Sequence, residues 1–286
     1  MLTFLPGPLR GALSLFLFTL NTIVWTFPLL FFHLLKLALP GNGWRRFWSG
    51  VQNRIGTTWI SFNNWNLRFT NPVRWDIQGV EGLARDHWYL VIANHRSWVD
   101  ILVLQRVFNG KIPFLKFFLK KELFWVPFLG LAWWSLDYPF LARSATASKD
   151  LEAIQKAAKK FKTLPVSVMN FVEGTRFTPE KHEKQHSPYT HLLKPKIGGM
   201  TFLLSSMGEE IKSVLDVTIA YPQGTPTMWG FLCGEAEDIR VRVRVIPVDG
   251  DLVGDYGADK AFRRRFTDWQ KELWAEKDRV LEELIG

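Results

Sequence analysis

The rhythm of apolar and polar positions changes three times along the chain. From Gly11 to Leu35 there are 25 consecutive residues without a charge, followed by Lys36 and the cluster Trp44-Arg45-Arg46-Phe47-Trp48. A helix of that length reaches about 37 Å, against a hydrocarbon core of about 30 Å. The stretch predicts one tilted membrane crossing or, interrupted at Asn21 and Pro28, a helical hairpin dipping into one leaflet. Its length and the absence of a small-x-small cleavage site argue for a retained anchor over a signal peptide. The second rhythm is helical. Trp44, Trp48, Val51, Ile55, Trp59 and Phe62 recur every three or four residues, with Arg45, Arg46, Gln52 and Asn53 on the other side. That pattern suits a helix in the headgroup plane or one packed on a folded domain.

From Arg74 onward short apolar runs bounded by turn residues predict strands at 74–80, 87–93, 166–172, 214–221 and 238–248. Ser148 to Lys162 and Asp259 to Leu284 have helical periodicity, the latter with Phe262, Phe266, Trp269 and Leu273 on one face. In 239–245 Ile239, Val241, Val243 and Val245 alternate with Arg240, Arg242 and Arg244, a strict period of two whose arginine face reads as solvated or turned to an anionic bilayer. No repeat, low-complexity tract or linker divides the chain. The expected organisation is a membrane anchor with an interfacial helix over 1–70 and an α/β domain over 71–286.

Composition sharpens this reading. The chain has 286 residues, 47% of them hydrophobic, which excludes a disordered or fibrous protein. A mean hydropathy of -0.02 excludes a polytopic membrane protein. One cysteine, Cys233, excludes a disulfide framework and a multi-cysteine metal site. Residues 1–75 contain no Asp or Glu and seven Arg or Lys, so +7 of the net +9 lies beside the apolar stretch. A nucleic-acid-binding domain would carry that charge on the folded part instead, so no nucleic-acid partner is expected. The basic residues lie mostly C-terminal to the anchor, which by the positive-inside tendency puts the domain in the cytoplasm.

Candidate chemistry begins where the strand at 87–93 ends, in Asn94-His95-Arg96-Ser97-Trp98-Val99-Asp100. A buried strand delivers His95 to a sheet edge with little positional freedom. Asp100, at the start of the next helix, is in reach of one ring nitrogen, which fixes the tautomer and leaves the other nitrogen to accept a proton. The strand at 166–172 ends in Glu173-Gly174-Thr175-Arg176, where glycine admits a substrate close to the backbone and arginine offers a fork to phosphate. Lys121 and Arg143 bracket an apolar stretch between the two blocks.

These blocks resemble the membrane glycerolipid acyltransferases that include 1-acylglycerol-3-phosphate acyltransferases. Asn94 to Asp100 matches the family's Asn-His-x4-Asp. Phe140 to Arg143 matches its second block, 173–176 its Glu-Gly-Thr-Arg block, and Val217 to Pro222 its strand ending in proline. The run Trp133 to Phe140 is more similar to the bacterial branch related to lysocardiolipin acyltransferases. The resemblance implies a mixed sheet flanked by helices, with an N-terminal membrane-embedded helix or helical hairpin. It implies acyl transfer from an acyl thioester, acyl-CoA or acyl-ACP as co-substrate, to the free hydroxyl of a lysophospholipid. Lysophosphatidic acid is the first expectation, with lysophosphatidylglycerol and monolysocardiolipin as alternatives. His95 would be the general base and Asp100 its orienter. Asn94, Lys121, Arg143, Glu173, Gly174, Thr175 and Arg176 would serve the acceptor, and Pro222 the acyl path. No metal or other cofactor is implied, membrane lipids are the partners, and the location would be the cytoplasmic face of the cell membrane.

Other readings compete. His182-Glu183-Lys184-Gln185-His186 spells a zinc-protease signature, with His191 nearby, but Pro179 and Pro188 leave room for two helical turns at most. Ser97 lacks a nucleophile-elbow sequence. The apolar surroundings of Cys233 favour a structural role. A non-catalytic lipid-binding scaffold is the alternative outside enzymes, opposed by the intact His95 and Asp100.

Overall fold

A computed structural model describes residues 2–142 and 147–286. In chain order the elements are α1 (Gly7–Ala38), α2 (Asn42–Thr70), β1 (Arg74–Gln78), β2 (Trp88–Ala93), α3 (Val99–Phe108), β3 (Leu115–Phe117), β4 (Leu119–Lys120), α4 (Leu129–Ser135), β5 (Phe140–Leu141), α5 (Ala147–Phe161), β6 (Ser167–Phe171), α6 (Pro179–Gln185), α7 (Ile197–Met207), β7 (Ile211–Ala220), α8 (Met228–Cys233), β8 (Asp238–Pro247) and α9 (Lys260–Ile285). A single 3-10 turn spans Lys121–Trp125.

Six strands form one mixed sheet in the order β1-β8-β7-β2-β6-β3, and β4 and β5 make a small parallel pair beside it. Among the described residues only the β7–β8 pairing in the large sheet is antiparallel. β2 lies between β7 and β6 and is parallel to both. From Tyr89 to Ala93 β2 is buried throughout, as its unbroken apolar run requires for a strand covered on both faces. One face, with Tyr89, Val91 and Ala93, packs into a core shared with α1, α2, α3 and α4. The other face, with Leu90 and Ile92, packs into a core built with α5, α7 and α9. Phe262, Phe266 and Leu273 of α9 are buried there, with Trp269 packed against them.

The arginines of β8 are not simply solvated. Arg242 pairs with Asp76 of β1 at 2.7 Å and Arg244 with Asp216 of β7 at 3.0 Å. Arg240 donates to the Leu284 carbonyl at the end of α9 at 2.9 Å. Arg242 and Arg244 are spent on the carboxylates that the two adjoining strands present to that face, and Arg240 on the last turn of α9.

α1 is one helix through both Asn21 and Pro28. It lies against α2 and touches the domain at both ends. Near its start the Arg10 guanidinium donates to the Cys233 carbonyl of α8 at 2.9 Å, and near its end Lys36 is ion-paired with Asp137. The packed face mixes apolar side chains, Leu29, Trp59, Ile60 and Leu67, with polar ones. Asn66 donates to the Ser14 carbonyl at 3.0 Å, and Asn21 donates to Asn63 at 2.8 Å. Gln52 is 1% exposed. Its expected place on the outer side of α2 is therefore corrected: its amide donates to the Ser135 carbonyl at 2.7 Å, one of the carbonyls that the end of α4 leaves without a helical partner. The outward face of α1 carries Phe16, Leu20, Val24, Phe27, Phe31 and Leu34, all exposed.

Candidate active site

β6, β2 and β7 run parallel and side by side, so their C-terminal ends open on one edge of the sheet. In α/β sheets ligands bind beyond those ends. The chain segments delivered there are Asn94–Asp100, Glu173–Arg176 and Tyr221–Pro222, three of the four blocks read from the sequence.

His95 and Asp100 meet. The His95 Nδ1–H donates to Asp100 Oδ2 at 2.8 Å, with the imidazole 13% and the carboxylate 1% exposed. The same Oδ2 accepts the backbone N–H groups of Arg96 at 2.7 Å and Ser97 at 2.9 Å, while Oδ1 accepts the Tyr221 hydroxyl at 2.5 Å. Four donors hold this buried carboxylate, so it presents a fixed acceptor to the ring. The His95 ring also stacks on Phe171, with centroids 3.8 Å apart. These contacts fix the tautomer with its proton on Nδ1, and no described residue hydrogen-bonds Nε2. Tyr221 is the site residue whose individual role the sequence did not disclose. Burial and the adjoining Asp100 push its phenol well above the ordinary value, so it acts as a donor.

Two expected acceptor-binding residues are spent on the protein itself. The Asn94 side chain bridges both backbone groups of Ile219, donating and accepting at 2.9 Å, and so extends the β2–β7 pairing past the last strand residue. Glu173 is fully buried, its oxygens accepting the N–H of His95 at 2.7 Å and of Leu193 at 2.9 Å. Burial pushes its carboxyl up to about 7, against the opposing pull of those two donors and of Arg96. Asn94 and Glu173 thus hold the loop that carries His95, through Ile219 and through the His95 N–H.

The rest of the Glu-Gly-Thr-Arg block faces outward. Gly174 has φ +69°, and a Cβ there would come within 2.9 Å of the Lys196 side chain. Thr175 accepts from Lys181 Nζ at 2.9 Å. The exposed Arg176 guanidinium lies 4.8 Å over the Trp98 ring and has no ion-pair partner among the described residues. Arg96 is more enclosed, 4.7 Å over Phe177, and donates to the His191 carbonyl at 3.0 Å; burial lowers its pKa. Lys181 and Lys196 thus join Arg176 around the glycine turn, two cations that no sequence block marked. Pro222 follows Tyr221 at the same edge and is half-buried. Lys121 begins the 3-10 turn, exposed, in a shallow recess with Phe124, Trp125 and Phe140, and contacts none of the His95 group. Arg143 lies outside the described residues.

The zinc-signature histidines diverge. α6 has seven residues; His182 Nε2–H donates to the Tyr189 carbonyl at 2.6 Å, and His186 ends the helix at φ +47°. His191 pairs with Glu282 of α9. Cys233 is buried at the end of α8 against Gly11.

A buried carboxylate, an oriented imidazole with a free nitrogen and a rim of cations suit proton removal from a hydroxyl on a phosphate-bearing molecule. Comparison with known proteins agrees with the fold and the family. The chain is 29% identical over 224 residues to 1-acyl-sn-glycerol-3-phosphate acyltransferase 3 of Arabidopsis thaliana, covering 72% of this chain and 56% of that protein. It is 28% identical over 208 residues to 1-acyl-sn-glycerol-3-phosphate acyltransferase delta of Homo sapiens, covering 68% and 52%. The chain thus spans about half the length of the curated relatives it matches. The crystal structure of the 1-acyl-sn-glycerophosphate acyltransferase PlsC of Thermotoga maritima has the same fold, with TM-score 0.55, 18% identity and 97% coverage of both chains. The family model described as Acyltransferase matches residues 74–221, which include the His95 edge as far as Tyr221, and the chain belongs to that family.

Proposed function

We propose that the protein transfers an acyl group from an acyl thioester, acyl-CoA or acyl-ACP, to the free hydroxyl of lysophosphatidic acid, giving phosphatidic acid. The observation that carries the reading is the His95–Asp100 pair, with Nε2 uncommitted at a strand edge beside Arg176.

His95 Nε2 accepts the hydroxyl proton as the oxygen attacks the thioester carbonyl. The tetrahedral intermediate then expels the thiolate, which takes the proton from the imidazolium. No acyl-enzyme is required. Asp100 keeps the ring in one tautomer and stabilises the imidazolium while it exists. Arg176, with Lys181 and Lys196 beside Gly174, supplies cationic donors for the acceptor phosphate, and holding that phosphate sets the hydroxyl near the base. Lys121 and Arg143 are proposed for the same acceptor, and Pro222 for the acyl path.

The same proposal seats the protein on the cytoplasmic face of a membrane. α1 is long and apolar enough to cross a bilayer. Its contacts with α8 at one end and Asp137 at the other hold it along the domain, so its exposed apolar face beds in one leaflet. The Phe27 and Phe128 rings, 6.4 Å apart, continue that face onto the segment before α4. An acyltransferase there takes an insoluble acceptor from the bilayer and returns the product to it.

The test supplies a labelled acyl thioester and a panel of lysophosphatidic acid, lysophosphatidylglycerol and monolysocardiolipin to membranes carrying the protein. Label in phosphatidic acid supports the proposal. Label only in another phospholipid reassigns the acceptor, and lipid binding without any label supports a scaffold.

A further inference from the structure

A cavity of about 590 Å³ lies at the other end of the sheet, between the α1–α2 turn, the edge strand β3 and the C-terminal half of α5. Pro165 and Val166, which lead into β6, form part of its wall. Glu173 lies seven residues further along that strand, so the cavity and the His95 edge are about 20 Å apart at the rise of a β-strand.

The lining is strongly basic. Lys36 of α1, Arg45 and Arg46 of α2 and Lys116 of β3 surround it on one side. α5 supplies Lys156, Lys159 and Lys160 on the other. Among the described residues the sole acidic group in the lining is Asp137, already bonded to Lys36 and, at 3.2 Å, to Lys160. Arg45, Arg46, Lys156 and Lys159 have no ion-pair partner among the described residues.

Cations drawn from separate elements repel one another, and a concave wall focuses their field. Such a gathering is stabilised by an anion that several of them share. The Lys116 ammonium is already committed, donating to the Leu136 carbonyl at 2.7 Å from inside the wall. The exposed Arg45 and Arg46, with Lys156 and Lys159 of α5, are the ones left to reach an incoming group, with Lys160 beside them on Asp137. The cavity also has an address. It opens beside the end of α1, where Trp44 and Trp48 make an edge-on pair with ring centroids 5.4 Å apart, the residue type that settles at headgroup depth. Leu37 and Phe140 add apolar wall beside the cations, as a headgroup joined to acyl chains requires.

We infer that this cavity binds the phosphate headgroup of an anionic bilayer phospholipid, as a second lipid site separate from the acceptor site, clamping the helix pair to the α/β domain on anionic membrane. The inference rests on the reading that α1 beds in a leaflet. A free phosphate ion shares the recognised chemistry, and the experiment separates the two sources.

The full-length protein is reconstituted in vesicles of phosphatidylcholine alone or mixed with phosphatidylglycerol, and acetylation rates of Lys156, Lys159 and Lys160 are read by mass spectrometry. Phosphatidylglycerol should slow all three by about tenfold, as headgroup contacts with several basic side chains imply. Inorganic phosphate with phosphatidylcholine vesicles should not. Arg45→Gln with Arg46→Gln should remove the protection, whereas Arg176→Ala, at the acceptor edge, should leave it intact. Equal protection by inorganic phosphate would overturn the lipid assignment. Protection lost with Arg176→Ala would place the lipid at the acceptor edge, and no protection in the wild type would overturn the site. Flotation on phosphatidylcholine vesicles tests the bedding of α1 independently, because it needs no anionic lipid.

Discussion

The α1–α2 layer and the sheet sort their side chains in opposite directions. In the sheet, Leu90, Val91, Ile92, Val214, Leu215 and Ile219 are fully buried, and titratable groups that enter the interior are bonded, Lys277 to Asp216 at 2.6 Å and Glu173 to two backbone N–H groups. In the helix pair the buried positions include Ser14, Thr26, Gln52, Asn63, Asn66 and Thr70, while phenylalanines and leucines point outward. Burial in water is driven by removing apolar area, which rewards the first arrangement. An outer face bathed in lipid gains nothing from hiding leucine, so hydrogen bonds between small polar side chains are left to hold the helices together. The two halves of one molecule are each consistent with a different solvent.

The largest effect should come from giving the helix layer the wrong outer face. Phe16→Lys with Phe27→Lys replaces exposed residues, so the fold should persist while partition onto phosphatidylcholine vesicles drops by a factor on the order of 10², from the apolar burial lost per ring. Unchanged flotation would sink the bedded-helix account. Inside the sheet edge the next effect is electrostatic. The Glu173 carboxyl is held near about 7 in the fold and at 4.5 when unfolded, so over that window the unfolded state carries fewer protons. Its contribution to stability therefore falls as pH rises from about 4.5 to about 7, by a few kcal/mol at most. Glu173→Gln should flatten that part of the stability curve while lowering its acid end, because an amide NH₂ would face a backbone N–H. A variant whose slope matches the wild type would remove Glu173 as the cause.

Tyr221→Phe takes away one of the four donors to Asp100 and leaves Oδ1 without a partner. A hydrogen bond to a buried charge is worth about 1.5–3 kcal/mol, so kcat should fall about tenfold or more with KM little changed. A loss confined to KM would detach Tyr221 from the base. The smallest effect should be that of Asn66→Leu in the helix layer. Losing its bonds to Ser14 should cost about 0.6–2 kcal/mol by thermal unfolding in detergent. A stabilised variant would mean that the buried polar face is not what joins the helices.

How much of this was legible in the sequence depended on whether a signal was local. β2, β6 and β7 were visible as apolar runs ending in turn residues, and His95, Asp100 and Arg176 stood at those ends. The pairing of β2 between β6 and β7 is long-range, so the sequence named the blocks without showing that Asn94 would reach Ile219, or Glu173 the N–H of His95. Polar residues beside a motif look like ligand contacts until the backbone groups they satisfy are in view. β3, only Leu115, Lys116 and Phe117, is too short to show a period. The stripe through Trp44, Trp48, Ile55, Trp59 and Phe62 caught the packed face of α2 at Ile55 and the buried Trp59 but also took in the exposed Phe62, because hydrophobic periodicity assumes water outside. Gln52, Asn63 and Asn66 share the packed face with Trp59. The arginines of β8 alternated as read, but Asp76 and Asp216, which neutralise Arg242 and Arg244, come from strands distant in the chain.

The most direct test of the central claim is acyl transfer from acyl-CoA to lysophosphatidic acid by full-length His95→Ala beside the wild type, in the same vesicles and with equal amounts of bound protein. The account predicts that kcat falls by about 10²–10⁴ while thermal unfolding and vesicle binding are kept, the loss expected of a missing general base. Transfer at the wild-type rate by His95→Ala would contradict it.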